Sequence, residues 1–278
     1  MKRIDSHQHF WHYSPETHPW ISEDMSQLQQ DFLPTDLKPE LDRHNIDGCV
    51  AVQASQSEED TLFLLDLADR YDFISGVVGW VDLQDERLED RLAHYSRYSK
   101  LVGIRHIAQD EKDPNFLLRS AFVRGVQALS RYNLAYDILI YESHLLVATQ
   151  FAAALPETRL VLDHIAKPKI AKNENATWRN GIRSLAALPH VYCKLSGMVT
   201  EADWTQWKPE DIVPYLDTVV EVFGVDRLMF GSDWPVCLLA ASYQEVIELI
   251  DQYFDSFSAD ERAKIYGKNA SDFYQLGT

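Results

Sequence analysis

Two histidines and a distant aspartate are the residues whose types and spacing are best suited to chemistry. His7 and His9 end the first predicted strand, and Asp233 follows the last one. Residues two apart in a strand point to the same side, so both imidazoles should face one cavity. In a closed barrel the first and last strands are neighbours, which would bring Asp233 to the two imidazoles. Such a group at one mouth could carry out a hydrolytic reaction.

The elements that must position these residues follow a regular alternation. Short apolar, β-branched segments alternate eight times with amphipathic helical patterns, which is typical of parallel strands covered by helices. Eight such units in 278 residues predict one α/β domain, residues 1–278, folded as a (β/α)8 TIM barrel. A Gly-rich phosphate turn does not follow the first strand, which disfavours an open nucleotide-binding sheet. The predicted strands are 3–10, 48–55, 74–83, 101–109, 134–141, 159–166, 191–199 and 227–232.

Composition restricts the classes of partner. The net charge of -17 and the pI near 4.9 argue against a nucleic-acid groove. Cys49, Cys193 and Cys237 have no close spacing, which predicts buried reduced thiols and a cytoplasmic protein. We find no signal-peptide pattern and no apolar run of about 20 residues, so no membrane span is expected. The oligomeric state stays open.

In a parallel barrel the reactive groups lie at the carboxyl ends of the strands. Polar or aromatic side chains are predicted at nearly every one of these ends, more than a packed barrel floor needs. His106 should point away from the mouth because it neighbours Arg105. The predicted strand-end residues are His7, His9, Gln53, Trp80, Arg105, Tyr141, His164, Lys194, Ser196 and Asp233, with Asp137 deeper in the barrel.

Four motifs carry a resemblance to a known family. They are Asp-Ser-His-Gln-His-Phe-Trp at 5–11, Asp-His-Ile-Ala-Lys-Pro at 163–168, Gly-Ser-Asp-Trp-Pro at 231–235 and Gly-Lys-Asn-Ala at 267–270. Together they resemble the amidohydrolase superfamily, amidohydrolase 2 type, in its sugar lactonase branch. Fuconolactone and rhamnonolactone hydrolases are the most similar members, and pyrone-dicarboxylate lactonase is more distant. The resemblance implies a distorted barrel of the amidohydrolase type.

The resemblance also implies the catalytic residues and the metal requirement. His7, His9, His164 and Asp233 match the superfamily positions. Arg105 stands where many members have a metal-bridging lysine or glutamate, and a guanidinium cannot be a ligand. A two-metal site is therefore not expected. We expect that no metal is required, and the alternative is a single zinc on His7, His9 and Asp233.

The predicted reaction is the opening of a sugar lactone to the aldonic acid. Asp233 would take a proton from water as a general base, and Arg105, His164 and the histidine pair would polarise the carbonyl. A single strand-end arginine favours a neutral sugar lactone over a dicarboxylate. The predicted substrate contacts are aromatic platforms from Trp11, Trp20, Trp80 and Trp234, and hydrogen bonds from Gln53, Asp137, Tyr141, Lys194 and Ser196.

Several alternatives stay open from the sequence. A zinc-dependent decarboxylase of an aromatic acid, a pyrone-dicarboxylate-type lactonase and a non-catalytic sugar-binding barrel share parts of the pattern. Arg105 could instead form a buried ion pair near Asp137. Asp163 is expected to face outward, toward the helix layer. Burial under tryptophans would raise the pKa of Asp233, whereas Arg105 nearby would lower it.

Overall fold

A computed structural model describes residues 2–277 and confirms the predicted TIM barrel. Eight parallel strands follow one another in chain order, each paired with the next. The ring closes between the first and last strands, where Gln8 and Trp234 form a parallel bridge. The strands are β1 Ile4–Gln8, β2 Gly48–Val52, β3 Ile74–Gly79, β4 Leu101–Ile107, β5 Ala135–Leu139, β6 Leu160–Leu162, β7 Val191–Leu195 and β8 Leu228–Phe230.

Helices cover the outside of the ring, and a serine side chain caps the start of some of them. Ser242 accepts a hydrogen bond from the Glu245 amide, and the Glu245 carboxylate accepts one from the Ser242 amide. Ser57 accepts one from Asp60 in the same way. The helices are α1 Pro34–Arg43, α2 Glu58–Arg70, α3 Leu88–Tyr95, α4 Ser120–Leu129, α5 Leu145–Ala153, α6 Ala176–Ala186, α7 Pro209–Phe223, α8 Tyr243–Tyr253, α9 Ala259–Ala263 and α10 Asn269–Tyr274.

The barrel interior has an apolar lower part and a polar upper part. Side chains from most strands meet helix α10 in one buried cluster that includes Val50, Val78, Val161 and Phe273. The cluster fills the interior below the carboxyl ends of the strands. Above it the buried residues are charged or polar, and these form the site. Between residues 2 and 277, no helix combines the length and apolar character needed to cross a membrane.

All eight strands are shorter than the sequence predicts, and β6 and β8 are the shortest, with three residues each. Strand β6 ends at Leu162 rather than at residue 166, because His164, Ile165, Ala166 and Lys167 all have positive φ. Left-handed backbone cannot continue a strand. Strand β8 ends at Phe230, and Asp233 also has a positive φ of 59°. These two shortest strands deliver His164 and Asp233 to the mouth.

Candidate active site

The predicted catalytic residues meet at the carboxyl end of the barrel. Nε2 of His7 lies 3.2 Å from Nε2 of His9. One oxygen of Asp233, Oδ1, lies 3.3 Å from Nε2 of His9, 3.8 Å from Nε2 of His7 and 3.9 Å from Nε2 of His164. One carboxylate oxygen therefore faces three imidazole nitrogens, as the strand order predicts.

Asp5 joins the first strand to the loop that carries Asp233. Its Oδ1 accepts hydrogen bonds from the amides of His7, at 3.1 Å, and Ser232, at 2.9 Å. Its Oδ2 accepts one from the Tyr243 hydroxyl at 3.1 Å. Burial raises the pKa of Asp5 to about 6. Sequence reasoning missed this residue, although its place at the head of the histidine motif was an available clue.

The tautomer of His9 is fixed by its neighbour on β2. Nδ1 of His9 lies 2.8 Å from the carbonyl oxygen of Val52, which can only accept a hydrogen bond. Nδ1 therefore carries the proton, and Nε2 presents a lone pair to the cavity. A hydrogen bond from one ring nitrogen to a carbonyl is the usual way in which the other nitrogen is held ready for a proton or a metal.

Asp233 is held as a carboxylate. Burial alone would raise its pKa, but the neighbouring imidazoles of His164, His9 and His7 outweigh burial and hold its pKa well below 3.8. Burial lowers the pKa of His164 to about 4, against the opposite influence of Asp233. At neutral pH the site thus combines an ionised Asp233 with a neutral His164 imidazole.

A left-handed turn after β6 aims His164 into the site. Its backbone is held by the indole of Trp178, which donates to the carbonyl oxygen of Ile165 at 2.7 Å. Nδ1 of His164 lies 2.9 Å from the Ser196 hydroxyl. Gly197, itself at φ +64°, packs directly on the His164 ring. Positive φ costs about 1–2 kcal/mol per residue outside glycine, so surrounding contacts must hold this turn.

Asp163 faces into the barrel, and the prediction that it faces outward is wrong. Its carboxylate is fully buried and lies 3.0 Å from both Lys194 Nζ and Arg105 NH1. Asp163 lies two residues after Val161, whose side chain faces the barrel interior, so it faces the same way. The prediction assumed that His164 continued the strand, whereas His164 already belongs to the left-handed turn and faces inward as well. Burial alone would raise the pKa of Asp163, but Lys194, His7 and Arg105 hold it well below 3.8. Arg105 therefore pairs with Asp163, and Asp137 pairs with Lys194 at 2.5 Å.

All five N–H donors of Arg105 point at protein acceptors or at His7. The guanidinium donates to Gln53 Oε1 at 3.2 and 2.8 Å, and to the Gln53 carbonyl at 2.5 Å. NH1 donates to Asp163 and lies 3.3 Å from Nε2 of His7. Arg105 borders the pocket, yet these contacts already occupy its planar fork.

The site opens into a small cavity of about 100 Å³. Trp20 is the tryptophan in its wall, and its indole donates to the Ala54 carbonyl at 3.0 Å. Lys167, Gln109 and Asp110 also border the cavity and were missed, although Lys167 lies within the quoted sixth-strand motif. The lining residues are His9, Trp20, Ala54, Arg105, Ile107, Gln109, Asp110, Leu139, His164, Lys167, Asp233 and Val236.

Comparison with known proteins agrees with this geometry. The sequence model described as Amidohydrolase matches residues 4–276. The chain belongs to the amidohydrolase family. It is 45% identical to an L-fucono-1,5-lactonase of Burkholderia multivorans, across 99% of this chain and 96% of that protein. An L-fucono-1,5-lactonase of Burkholderia ambifaria is 37% identical over the same shares. A crystal structure of a Burkholderia multivorans amidohydrolase with bound zinc superposes with a TM-score of 0.97, at 44% identity and full coverage of both chains.

Within this amidohydrolase, three predicted aromatic platforms lie away from the cavity lining. Trp11 is fully buried and donates to the Gln30 carbonyl, and Trp234 packs on Phe32 with ring centroids 5.3 Å apart. The Trp80 indole donates toward His106. These side chains are large and apolar, so loop packing rather than strand position decides whether they meet solvent.

The predicted polar contacts divide into supporting and outlying groups. Gln53 lies behind Arg105, and Ser196 lies behind His164. Asp137 and Lys194 are fully buried beneath the histidines. Tyr141 is 40% exposed outside the cavity lining, and its ring lies 5.5 Å from Lys167 Nζ. His106 points away as predicted, and its Nε2 donates to Glu111 Oε1 at 2.7 Å.

The donor set fits a single zinc ion. Ligand atoms of His7, His164 and Asp233 all lie within 4.8 Å of one another, and Nε2 of His9 joins them with its lone pair. Three imidazoles and one carboxylate are donors that zinc prefers. His7, His9 and Asp233, the predicted trio, would hold the ion with His164 beside them. When bound, such an ion acidifies water and polarises carbonyl groups.

Proposed function

We propose that this amidohydrolase hydrolyses L-fucono-1,5-lactone, or a closely related sugar lactone such as an L-rhamnonolactone, to the free aldonic acid. Two relatives that match nearly the whole chain are named L-fucono-1,5-lactonase. The observation that carries the proposal is the single Asp233 oxygen facing three imidazoles at the floor of a small cavity. That arrangement suits one proton transfer at one small substrate.

Asp233 is the proposed general base. It takes a proton from water as the water oxygen forms a bond to the lactone carbonyl carbon. When the tetrahedral intermediate collapses, the bond from that carbon to the ring oxygen breaks, and Asp233 returns the proton to the departing oxygen. General-base help of this kind contributes about 10²–10⁴-fold. A strongly depressed pKa keeps the base ionised, and a lactone, as a reactive ester, requires less basicity than an amide.

His164 is the proposed donor to the carbonyl oxygen as negative charge develops there. If the Ser196 hydroxyl donates to Nδ1, Nε2 carries the proton and points toward the cavity. The neutral state of the ring, which follows from its lowered pKa, leaves that N–H available. Arg105 contributes positive charge behind His7, since its own donors are already engaged. Loss of one such donor typically costs about 10²–10³-fold.

The substrate proposal is tested by a panel assay with a pH indicator and enzyme-free blanks. The panel contains L-fucono-1,5-lactone, L-rhamnonolactone, several other aldonolactones and pyrone-4,6-dicarboxylate. We expect acid release from the sugar lactones, fastest from a fuconolactone-like ring. Preference for the dicarboxylate would refute the proposal. Carbon dioxide release from an aromatic acid would favour the decarboxylase instead, and lactone binding without turnover would indicate a binding protein.

We further propose that hydrolysis does not require a metal, although the site can hold one. The support is that Asp233 is already ionised and that the His164 N–H is available to donate to the lactone carbonyl oxygen. The test compares zinc content and activity before and after treatment with a chelator. Activity that persists in metal-free protein agrees with the proposal. Complete loss that stoichiometric zinc restores contradicts it.

The chain acts as one domain, supported by a family match over residues 4–276. Its partner is a small sugar lactone rather than a nucleic acid. Association of the chain into oligomers is compatible with this function. A cytoplasmic location is supported by Cys49, Cys193 and Cys237, which are buried free thiols.

A further inference from the structure

The ammonium group of Lys194 lies in a buried pocket of metal-type ligands beneath the catalytic histidines. Its Nζ lies 2.5 Å from Asp137 Oδ2, 3.0 Å from Asp163 Oδ1 and 3.0 Å from Nδ1 of His7. None of these four side chains is exposed to solvent. Tyr274 also donates to both oxygens of Asp137, which fixes that carboxylate.

The same acceptors form a candidate cation site without the lysine. One ligand atom each from His7, Asp137 and Asp163 lies within 4.8 Å of the other two. Two carboxylate oxygens and an imidazole nitrogen are ligands that zinc accepts. Asp163 Oδ1 is fully buried and faces this centre, yet it makes no well-aligned hydrogen bond among residues 2–277. A completely buried acceptor with no aligned donor is rare, and it points to a cation at this position.

Charge balance explains why the lysine and a divalent ion exclude each other. Asp137 and Asp163 contribute two negative charges, and Lys194 and Arg105 contribute two positive charges, all within one buried network. A divalent ion added to this neutral network would place two uncompensated charges in a region shielded from water, which is strongly unfavourable. Without the ammonium group, the network carries a net negative charge and an open centre.

We propose that Lys194 is a built-in cation that occupies an inner metal position of this barrel. The inner position and the outer one share His7, whose Nδ1 faces Lys194 while its Nε2 faces His9 and Asp233. The native chain therefore binds at most one divalent ion, at the outer position. Removing the Lys194 side chain beyond Cβ converts the inner position into a second zinc site.

The direct test is zinc stoichiometry rather than activity. Wild-type protein and Lys194→Ala are loaded with excess zinc, desalted and analysed by mass spectrometry of the metal. We expect Lys194→Ala to retain about one more zinc per chain than the wild type, because its site has an open centre and three ligands. The double variant Lys194→Ala/Asp163→Asn should lose the additional ion, since it lacks one charged ligand.

Lys194→Met is the matched control. It removes the same charge but fills the space with an apolar side chain of similar length, so it should not retain an additional zinc. Thermal melts with and without zinc give a second measurement, in which zinc should stabilise Lys194→Ala more than the wild type or Lys194→Met. A Lys194→Ala protein that folds only with zinc present supports the proposal. Equal stoichiometry in Lys194→Ala and wild type, equal gains in Lys194→Ala and Lys194→Met, or no stabilisation of Lys194→Ala by zinc would overturn it.

Discussion

Gly197 allows a stringent test of how the turn around His164 is positioned. A Cβ built at Gly197 would lie 2.5 Å from Nδ1 and 2.8 Å from Cγ of His164. Relief to an ordinary contact of 3.4 Å requires the ring to move by about 0.9 Å. A misplacement of about 1 Å at a reacting centre can cost about 10²-fold in rate. We therefore expect Gly197→Ala to lower kcat/KM by about 10–100-fold.

Gly224 provides the control for backbone strain. It has a φ of +66°, close to the +64° of Gly197, but a Cβ there would have nothing within 4 Å. Alanine at either position is strained by about 1–2 kcal/mol or more, which would lower the melting temperature by about 2–8 °C. Gly224→Ala should lose stability while keeping kcat/KM within about twofold of wild type, since it touches no site residue.

The assay for this pair is the initial rate of hydrolysis of the enzyme's best sugar lactone, with a thermal melt of each variant. If the contact with His164 is responsible, kcat/KM falls in Gly197→Ala and not in Gly224→Ala. Wild-type kcat/KM in Gly197→Ala would refute the reasoning. Equal losses of activity in both variants would also refute it, because backbone strain would then explain the effect.

Three further predictions concern stability. Arg105→Lys keeps a positive charge beside Asp163 but loses the planar guanidinium. Urea denaturation should show that the free energy of unfolding falls by about 2–3 kcal/mol, and an unchanged midpoint would contradict this. Trp178→Phe leaves the Ile165 carbonyl without its buried hydrogen-bond donor. The same measurement should show that the free energy of unfolding falls by about 1–3 kcal/mol. An unchanged value would mean that the indole does not stabilise the left-handed turn. The pKa of His164 falls from 6.5 to about 4 on folding, so its stabilising contribution is present above pH 6.5 and lost as the pH falls toward 4. Because Asp5, Asp60 and Asp137 have raised pKa values and act in the opposite direction over the same interval, the measurement is the difference between wild type and His164→Gln. Wild type should lose roughly 3 kcal/mol more stability than His164→Gln as the pH falls from 6.5 to 4, and an equal pH dependence of both proteins would count against the buried neutral ring.

The sequence predicted what depends on regular strand geometry. Alternation along β1 places His7 and His9 on one side, and barrel closure brings Asp233 to them, so the meeting of these residues follows from general rules. That Asp163 and His164 both face inward did not follow, because a left-handed turn that begins at His164 interrupts the expected alternation. Ile165 in that turn is β-branched and disfavours positive φ, so no local preference could have predicted it.

The wall of the cavity was also less predictable than its floor. A large apolar side chain can either contact the substrate or pack in the core. Trp11 is buried in the core, whereas Trp20 lines the cavity. Lys167 reaches the cavity only through the left-handed turn, which residue types do not reveal. Arg105 was correctly placed beside the site, but its pairing with Asp163 rather than Asp137 was not predicted, because Asp163 was expected to face outward.

The most direct test of the account is the turnover of Asp233→Asn. The amide has nearly the same shape as the carboxylate but cannot accept the proton from water. We expect kcat for the sugar lactone to fall by about 10²–10⁴-fold, while the variant keeps its ability to bind the aldonic acid product. Turnover close to that of the wild type would contradict the assignment of Asp233 as the base.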